Sequence, residues 1–173
     1  MSLKEHMILG GLASAALYPA IGANALFFWL ASFLIDIDHY IDYVYHNGFT
    51  DFSVKRMFDY HDALTLFWKE PEFLNIEIFH TVEFLTPFYI ISAMLDSHIL
   101  QALFWGFIFH IVLDMIFLWR LNIFFKRTHS VAEYFLRRRL YARSGLKTVE
   151  IYSKAVEMVR RDREVLKAAD EGR

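Results

Sequence analysis

Three pairs of histidine and carboxylate side chains lie in or beside apolar stretches of the chain, at spacings that suit a helix. They are Asp36 with His39, His80 with Glu83, and His110 with Asp114. Residues three or four apart lie on the same helix face, so each pair can offer an imidazole nitrogen and a carboxylate oxygen to one metal ion. Ionisable groups within membrane segments are costly and are functional by default. The pattern therefore predicts a metal site.

Two more residues complete the candidate ligands: His6, just before the first apolar run, and Asp38, between the members of the first pair. The full set is His6, Asp36, Asp38, His39, His80, Glu83, His110 and Asp114. Its four carboxylates and four neutral imidazoles leave four negative charges, which two divalent ions would balance. Because the chain has no cysteine, nitrogen and oxygen must hold any metal. The remaining histidines are assigned outside the set, His61 and His129 as lesser candidates and His46 and His98 as surface residues.

The segments that must position these residues are apolar enough to enter a bilayer. Hydrophobic residues make up 56% of the chain, against about 45–50% in soluble domains. The apolar runs are Met7–Ile35, Phe73–Leu95 and Ile99–Trp119, and a spanning helix needs about 20 residues. The last two runs predict antiparallel helices joined by a turn at Asp96–His98.

The first run is either one long tilted span or a hairpin of two helices, about Lys4–Tyr18 and Ala23–Tyr40. Pro19 and Gly22 favour the hairpin, because they suit a turn. Only the hairpin returns Asp36 to the end of the bundle that holds His6. The pairs on the later helices lie roughly 20–25 Å from their turn, at 1.5 Å per residue, and so at one level. The site therefore favours the hairpin.

Outside these runs the chain predicts two further helices. Asp51–Trp68 has a helical period and is either an interfacial helix on the membrane surface or, equally, a soluble packing helix. Lys147–Ala168 predicts a soluble amphipathic helix, whose basic residues either contact anionic headgroups or remain solvated. We therefore expect an all-α membrane protein with an embedded metal-site domain at residues 1–120 and a cytoplasmic basic tail at 121–173.

The placement of basic residues sets the expected orientation. In this topology all 18 Lys and Arg lie on the side of the metal site, and the two far turns have none. The positive-inside rule then puts both termini and the site on the cytoplasmic side of the inner membrane. The expected partners are the bilayer and a lipid or amphiphilic substrate. No motif indicates nucleic acid, and none identifies a protein partner.

The candidate residues, in their order along the chain, resemble the predicted membrane-bound metal-dependent hydrolases, a family distantly similar to zinc-dependent phospholipase C. The resemblance is carried by His6, the Asp36-Ile37-Asp38-His39 motif, His80 and the His110/Asp114 pair, and it covers about the first 120 residues. Many members have His-Arg-Gly-x-Thr-His-Ser at the central position. This chain has His80-Thr81-Val82-Glu83 there, so Glu83 replaces the second histidine.

The resemblance implies a metal-dependent hydrolase, and we expect it to act on a phosphoester of a lipid or amphiphile at the cytoplasmic face. Two divalent ions are expected, or three, with zinc the first choice and iron or manganese the alternatives. Asp38 is expected to be the general base or to bridge the ions. On a continuous helix Asp38 would point about 200° from Asp36, so the helix must end near Ile37 if Asp38 is to reach the site.

Three other kinds of protein could use the same residues. A di-iron membrane oxygenase also places histidine and carboxylate pairs on facing helices. A proton or metal-ion transporter would use them without a tightly bound metal. A structural metal protein would bind metal and leave no open coordination position.

Overall fold

In the computed structural model the described residues are 1–171, with side chains described as far as residue 161. The chain is predominantly helical, which confirms the all-α expectation. The helices are α1 (Leu3–Ile21), α2 (Asn24–Leu34), α3 (Ile37–His46), α4 (Val54–Thr65), α5 (Val82–Met94), α6 (His98–Arg120), α7 (Val131–Arg143) and α8 (Thr148–Glu171). Two short strands, β1 (Asn75–Ile76) and β2 (Arg127–Thr128), pair in one sheet, and short 3-10 helices cover Ile78–His80 and Phe124–Lys126.

The chain divides into two compact units that are each discontinuous in sequence. Unit 1 is Met1–Ile37 with Ile76–Val131, and unit 2 is Asp38–Asn75 with Ala132–Arg173. This differs from the expected division after residue 120, because the chain passes between the units three times. The expected boundary follows the single change from apolar to basic composition near residue 120. Compact units are set instead by which segments pack together.

The first apolar run of unit 1 folds as the expected hairpin. Gly22 has a φ of +56°, and its N–H donates to the Tyr18 carbonyl at 2.8 Å, which ends α1. Pro19 lies inside the last turn of α1 and not in the turn itself. The second turn is also as expected, since α6 begins directly after Ser97, whose hydroxyl accepts from the backbone N–H of Leu100.

The helices of unit 1 differ in length, and this bears on how many can cross a bilayer. Within the described residues, α6 is the one helix long and apolar enough to span a membrane. Helices α2 and α5 have 11 and 13 residues, or about 16 and 20 Å, against a hydrocarbon core of about 30 Å. The expected span Phe73–Leu95 is wrong at its start, because Phe73 belongs to the apolar core of unit 2 and α5 begins at Val82.

Two glycines bring the helices of unit 1 close together, each one turn from a candidate ligand. A Cβ on Gly10 would lie 2.9 Å from the Cβ of Ser32, and one on Gly106 would lie 2.6 Å from the Cβ of Ala31. Any larger residue would push α1 or α6 away from α2. Gly10 follows His6 by four residues and Gly106 precedes His110 by four, so the closest helix contacts lie next to these histidines.

Unit 2 is built around the packing of α4 on α8. Met57, Tyr60 and Leu64 of α4 are buried in one apolar cluster with residues of α8 that include Tyr152 and Val156. This agrees with the packing-helix alternative for this segment. Val54 and Phe58 of the same helix are exposed, so the interfacial alternative stays a prediction. The spacing of Val149, Tyr152, Val156, Val159 and Leu166 predicts one apolar side of α8. Tyr152, Val156 and Val159 are buried, Val149 is 52% exposed, and Leu166 lies beyond the described side chains.

Candidate metal centre

Four of the candidate ligands converge inside unit 1, drawn from three separate segments. Asp36, His80, His110 and Asp114 each present a ligand atom within 4.8 Å of those of the other three. The Nε2 atom of His110 lies 3.1 Å from Asp36 Oδ1 and 3.5 Å from Asp114 Oδ2, and that of His80 lies 3.8 Å from Asp36 Oδ1. Ligand atoms about 2.0–2.2 Å from one tetrahedral ion are roughly 3.3–3.6 Å apart. The spacing therefore fits a single divalent ion.

His110 is held in the orientation that a metal ligand requires. Its Nδ1 donates to the backbone carbonyl of Ser32 at 2.8 Å, and its ring is fully buried. A proton on Nδ1 leaves the Nε2 lone pair directed at the carboxylates. This arrangement depends on Gly106, which lets α6 approach the backbone of α2 closely enough for the hydrogen bond to form.

His80 is oriented by a carboxylate that the sequence analysis did not identify. Its Nδ1 lies 3.4 Å from Oε2 of Glu77, which leaves Nε2 on the side of Asp36. The segment that carries both residues is fixed at two points. Strand β1 pairs with β2, and the backbone N–H of Val82 donates to the carbonyl of His129 at 2.9 Å. Carboxylate–histidine pairs of this kind set the tautomer of a ligating imidazole.

His6 reaches the site as expected, but it contacts Asp114 and is not one of the four converging residues. Its Nε2 lies 2.9 Å from Asp114 Oδ1, and its ring stacks on that of His110 with centroids 3.7 Å apart. The ammonium group of Met1 lies 3.2 Å from the same oxygen. The Nδ1 of His6 is buried and has no hydrogen-bond partner among the described residues. His6 is therefore placed to orient Asp114.

Arg127 is a buried cation next to the four residues. Its Nη1 donates to Asp114 Oδ2 at 2.6 Å, and its Nη2 pairs with Glu77. With neutral imidazoles, the three carboxylates Asp36, Glu77 and Asp114, the guanidinium of Arg127 and the ammonium of Met1 leave one negative charge in this group. A divalent ion would offset that remaining negative charge. Glu83 lies outside this group, and the expectation of two ions, or three, stays a prediction.

Asp36 and His39 do not lie on one continuous helix, as the spacing argument had assumed. Helix α2 ends at Leu34 and α3 begins at Ile37, so a break separates the two residues, and they fall in different units. Asp38 and His39 lie in the first turn of α3 in unit 2, where Asp38 is buried and its Oδ1 lies 3.3 Å from Nδ1 of His39. The break confirms that no continuous helix runs from Asp36 to Asp38.

The expected pairing of His80 with Glu83 is wrong. His80 ends a 3-10 helix, Thr81 is extended, and Glu83 lies in the first turn of α5. The side chain of Glu83 is exposed and accepts a hydrogen bond from Ser130 at 2.5 Å. Glu77, on the other side of His80, takes the place that the spacing argument gave to Glu83. Because the helix is interrupted at Thr81, His80 contacts Glu77 and not Glu83.

The histidines outside the expected set have different environments. His98 is exposed as predicted, and His129 is half-buried against Phe124. His46 is not a surface residue, because it contacts Asp42 and stacks on Tyr152 in unit 2. His61 donates from Nε2 to the carbonyl of His39 at 2.9 Å. Burial, with the nearby charge of His39, lowers the pKa of His61 to about 4, so its ring is neutral at neutral pH.

Glu77 and Arg127 are the site residues that sequence reasoning missed. Glu77 had a usable signal, since it lies three residues before His80. The prediction instead paired His80 with Glu83, three residues after it, because a helix was expected to continue through both. Arg127 was counted among the basic residues that flank the last span. No local spacing links it to Asp114, and only the turn after α6 brings it back to the site.

Comparison with family models, curated proteins and solved structures finds no match to this chain. The case for a function therefore rests on the residues of the metal centre and on the chemistry that they allow.

Proposed function

We propose that this protein is a membrane-bound, metal-dependent hydrolase that acts on a phosphoester of a lipid or amphiphilic substrate. The observation that carries the proposal is the buried convergence of Asp36, His80, His110 and Asp114, in which His110 is fixed by its hydrogen bond to Ser32. A divalent ion held there would supply an acidified water and stabilise negative charge on a phosphoryl oxygen. The sequence resemblance to metal-dependent hydrolases points to the same reaction class.

The contacts of Asp114 favour a site with an open position over a closed structural one. Its two oxygens already engage Nε2 of His6 and Nη1 of Arg127. If these contacts keep Asp114 from direct ligation, Asp36, His80 and His110 remain as three direct ligands, which is the usual number in catalytic zinc sites. Asp36 is the most exposed of the four converging residues, with 17% of its side chain accessible, so water and substrate groups can approach from its side.

The membrane location is supported by the apolar surface of unit 1. Only 28% of the most apolar window of α6 is buried, and large residues such as Trp105, Val112 and Ile116 are exposed along it. Apolar side chains are exposed on α1 and α5 as well, including Leu12 and Ile91. A soluble monomer rarely exposes apolar area of this extent. We propose that this surface contacts lipid and that both termini are cytoplasmic.

Metal analysis of purified protein tests the proposal first. We expect at least one divalent ion per chain, zinc before iron or manganese, and loss of that ion in His80→Ala and in His110→Ala. His98→Ala is the matched control, because His98 is exposed at the start of the same helix as His110. A second ion per chain would require ligands beyond the four converging residues. Full metal content in both site variants would refute the metal centre.

Turnover is then measured on phospholipids, lipid phosphates and a chromogenic phosphodiester. Hydrolysis that disappears in His110→Ala and persists in His98→Ala supports the proposal. Bound iron with an optical signature, and no hydrolysis, would refute the hydrolase and favour the di-iron oxygenase. The absence of hydrolysis, of an optical iron signature and of tightly bound metal would favour the proton or metal-ion transporter.

A further inference from the structure

Helix α7 has an exposed face that mixes large apolar side chains with arginines. Phe135, Leu136 and Leu140 are 55%, 61% and 49% exposed, and Arg139 and Arg143 are exposed as well. At 3.6 residues per turn these five positions fall within about 140° of the helix circumference. No side chain of α7 is buried, so none of these five is covered by a neighbouring element.

The opposite side of α7 is the one that faces the protein. Tyr134, Arg137 and Tyr141 are only partly exposed. Arg137 donates to Glu133 at 3.1 Å and to the hydroxyl of Tyr141 at 3.4 Å. Both bonds lie within α7, on the side away from its exposed face, so substitutions on the exposed face leave them in place.

The charge around α7 opposes that of the whole chain. Residues 131–147 contain five Lys or Arg and one acidic residue, Glu133, a net charge of four positive in a chain whose net charge is −2. An occupant of the exposed face must therefore accept apolar side chains and supply negative charge along the same helix. A bilayer with anionic headgroups does both without a matching shape, since arginine reaches phosphates while Phe and Leu enter the acyl boundary.

We propose that the Phe135/Leu136/Arg139/Leu140/Arg143 face of α7 lies on the membrane surface and binds anionic phospholipid headgroups. The contact anchors unit 2 to lipid. Basic residues near an anionic surface each contribute about fivefold to partitioning, so loss of two should weaken the contact on the order of 25-fold. The inference depends on the membrane location proposed for unit 1, and the experiment separates the two.

Because the chain has no cysteine, single cysteines can carry an environment-sensitive fluorophore without background. The probe positions are Leu136→Cys on α7, Val112→Cys on α6, and Ser153→Cys on the exposed side of α8. Each labelled protein is placed in nanodiscs of phosphatidylcholine alone or mixed with phosphatidylglycerol. Lipid contact is measured by the blue shift of the fluorophore and by quenching from a nitroxide on the lipid.

We expect the label at 112 to report lipid in both kinds of disc, and the label at 153 to report water in both. The label at 136 should report lipid only in the anionic discs, and Arg139→Gln with Arg143→Gln should return it to water. Unchanged helicity and metal content in that double variant exclude misfolding.

Water at 136 in anionic discs, with lipid at 112, would overturn the proposal and leave the membrane location intact. Water at 112 would refute the membrane location itself. A blue shift at 136 without quenching by the lipid nitroxide, or one that appears only with two copies per disc, would assign the face to a protein contact instead. Equal quenching in both kinds of disc would refute the role of anionic headgroups.

Discussion

Gly106→Ala should weaken metal binding although Gly106 is not a ligand. An added Cβ would lie 2.6 Å from the Cβ of Ala31, and closer still to the carbonyl oxygen of Phe28, whereas ordinary contact begins at about 3.4 Å. The first of these distances alone requires α6 to move from α2 by about 0.8 Å, the difference between 3.4 and 2.6 Å.

This displacement is large on the scale of the metal centre. If it acts along the hydrogen bond from His110 Nδ1 to the Ser32 carbonyl, the bond lengthens from 2.8 Å to about 3.6 Å and is lost. Metal–ligand distances tolerate only about 0.2 Å. Loss of a partner that orients a ligand typically costs 10–100-fold in metal affinity, and we expect a loss of about that size.

The assay is competition with a chelator of known affinity, followed by metal analysis. Gly11→Ala is the matched control, because its Cβ would meet only the Trp29 ring, with Nε1 at 3.4 Å and Cδ1 at 3.8 Å, which are ordinary contacts. Both variants make the same change in a helix interior, so the propensity effect cancels. Equal metal affinity in Gly106→Ala and Gly11→Ala would refute the idea that the close approach of α6 to α2 positions His110.

Four further outcomes are expected. Asp38→Asn should slow hydrolysis by about 10²–10⁴-fold with metal retained if Asp38 is the general base, and a parallel loss of metal and turnover would assign it to ligation. Arg127→Gln should destabilise the metal-free protein by about 3–5 kcal/mol in thermal or denaturant unfolding, because its carboxylate partners stay buried without a cation; added divalent ion should restore part of the loss, and a stable metal-free variant would contradict the charge argument. Tyr152→Phe should reduce the free energy of unfolding of unit 2 by about 1–2 kcal/mol, since its hydroxyl donates to the buried Leu74 carbonyl at 2.6 Å; no change in the unfolding midpoint would count against it. A reporter fused after Arg173 should be active on the cytoplasmic side, and periplasmic activity would reverse the proposed topology.

The local sequence was sufficient wherever one segment determines its own conformation. Gly22 ends α1 through a hydrogen bond to a residue four positions earlier, and the turn at Ser97 starts α6 through its own side chain. His110 and Asp114 share a face because α6 runs uninterrupted past both. Helical periodicity arises from hydrogen bonds within a segment, so it can be predicted from spacing alone.

The wrong predictions concern helix ends. Where a helix ends is decided by the packing of segments that are distant in sequence. A helix drawn through Asp36 and His39, or through His80 and Glu83, is locally reasonable, but α2 ends before the first pair and α5 begins after His80. Glu77 and Arg127 meet at the site across 50 residues of chain. A buried carboxylate needs a cation, a metal or a proton, and nothing in the neighbouring residues specifies which one the folded chain will supply.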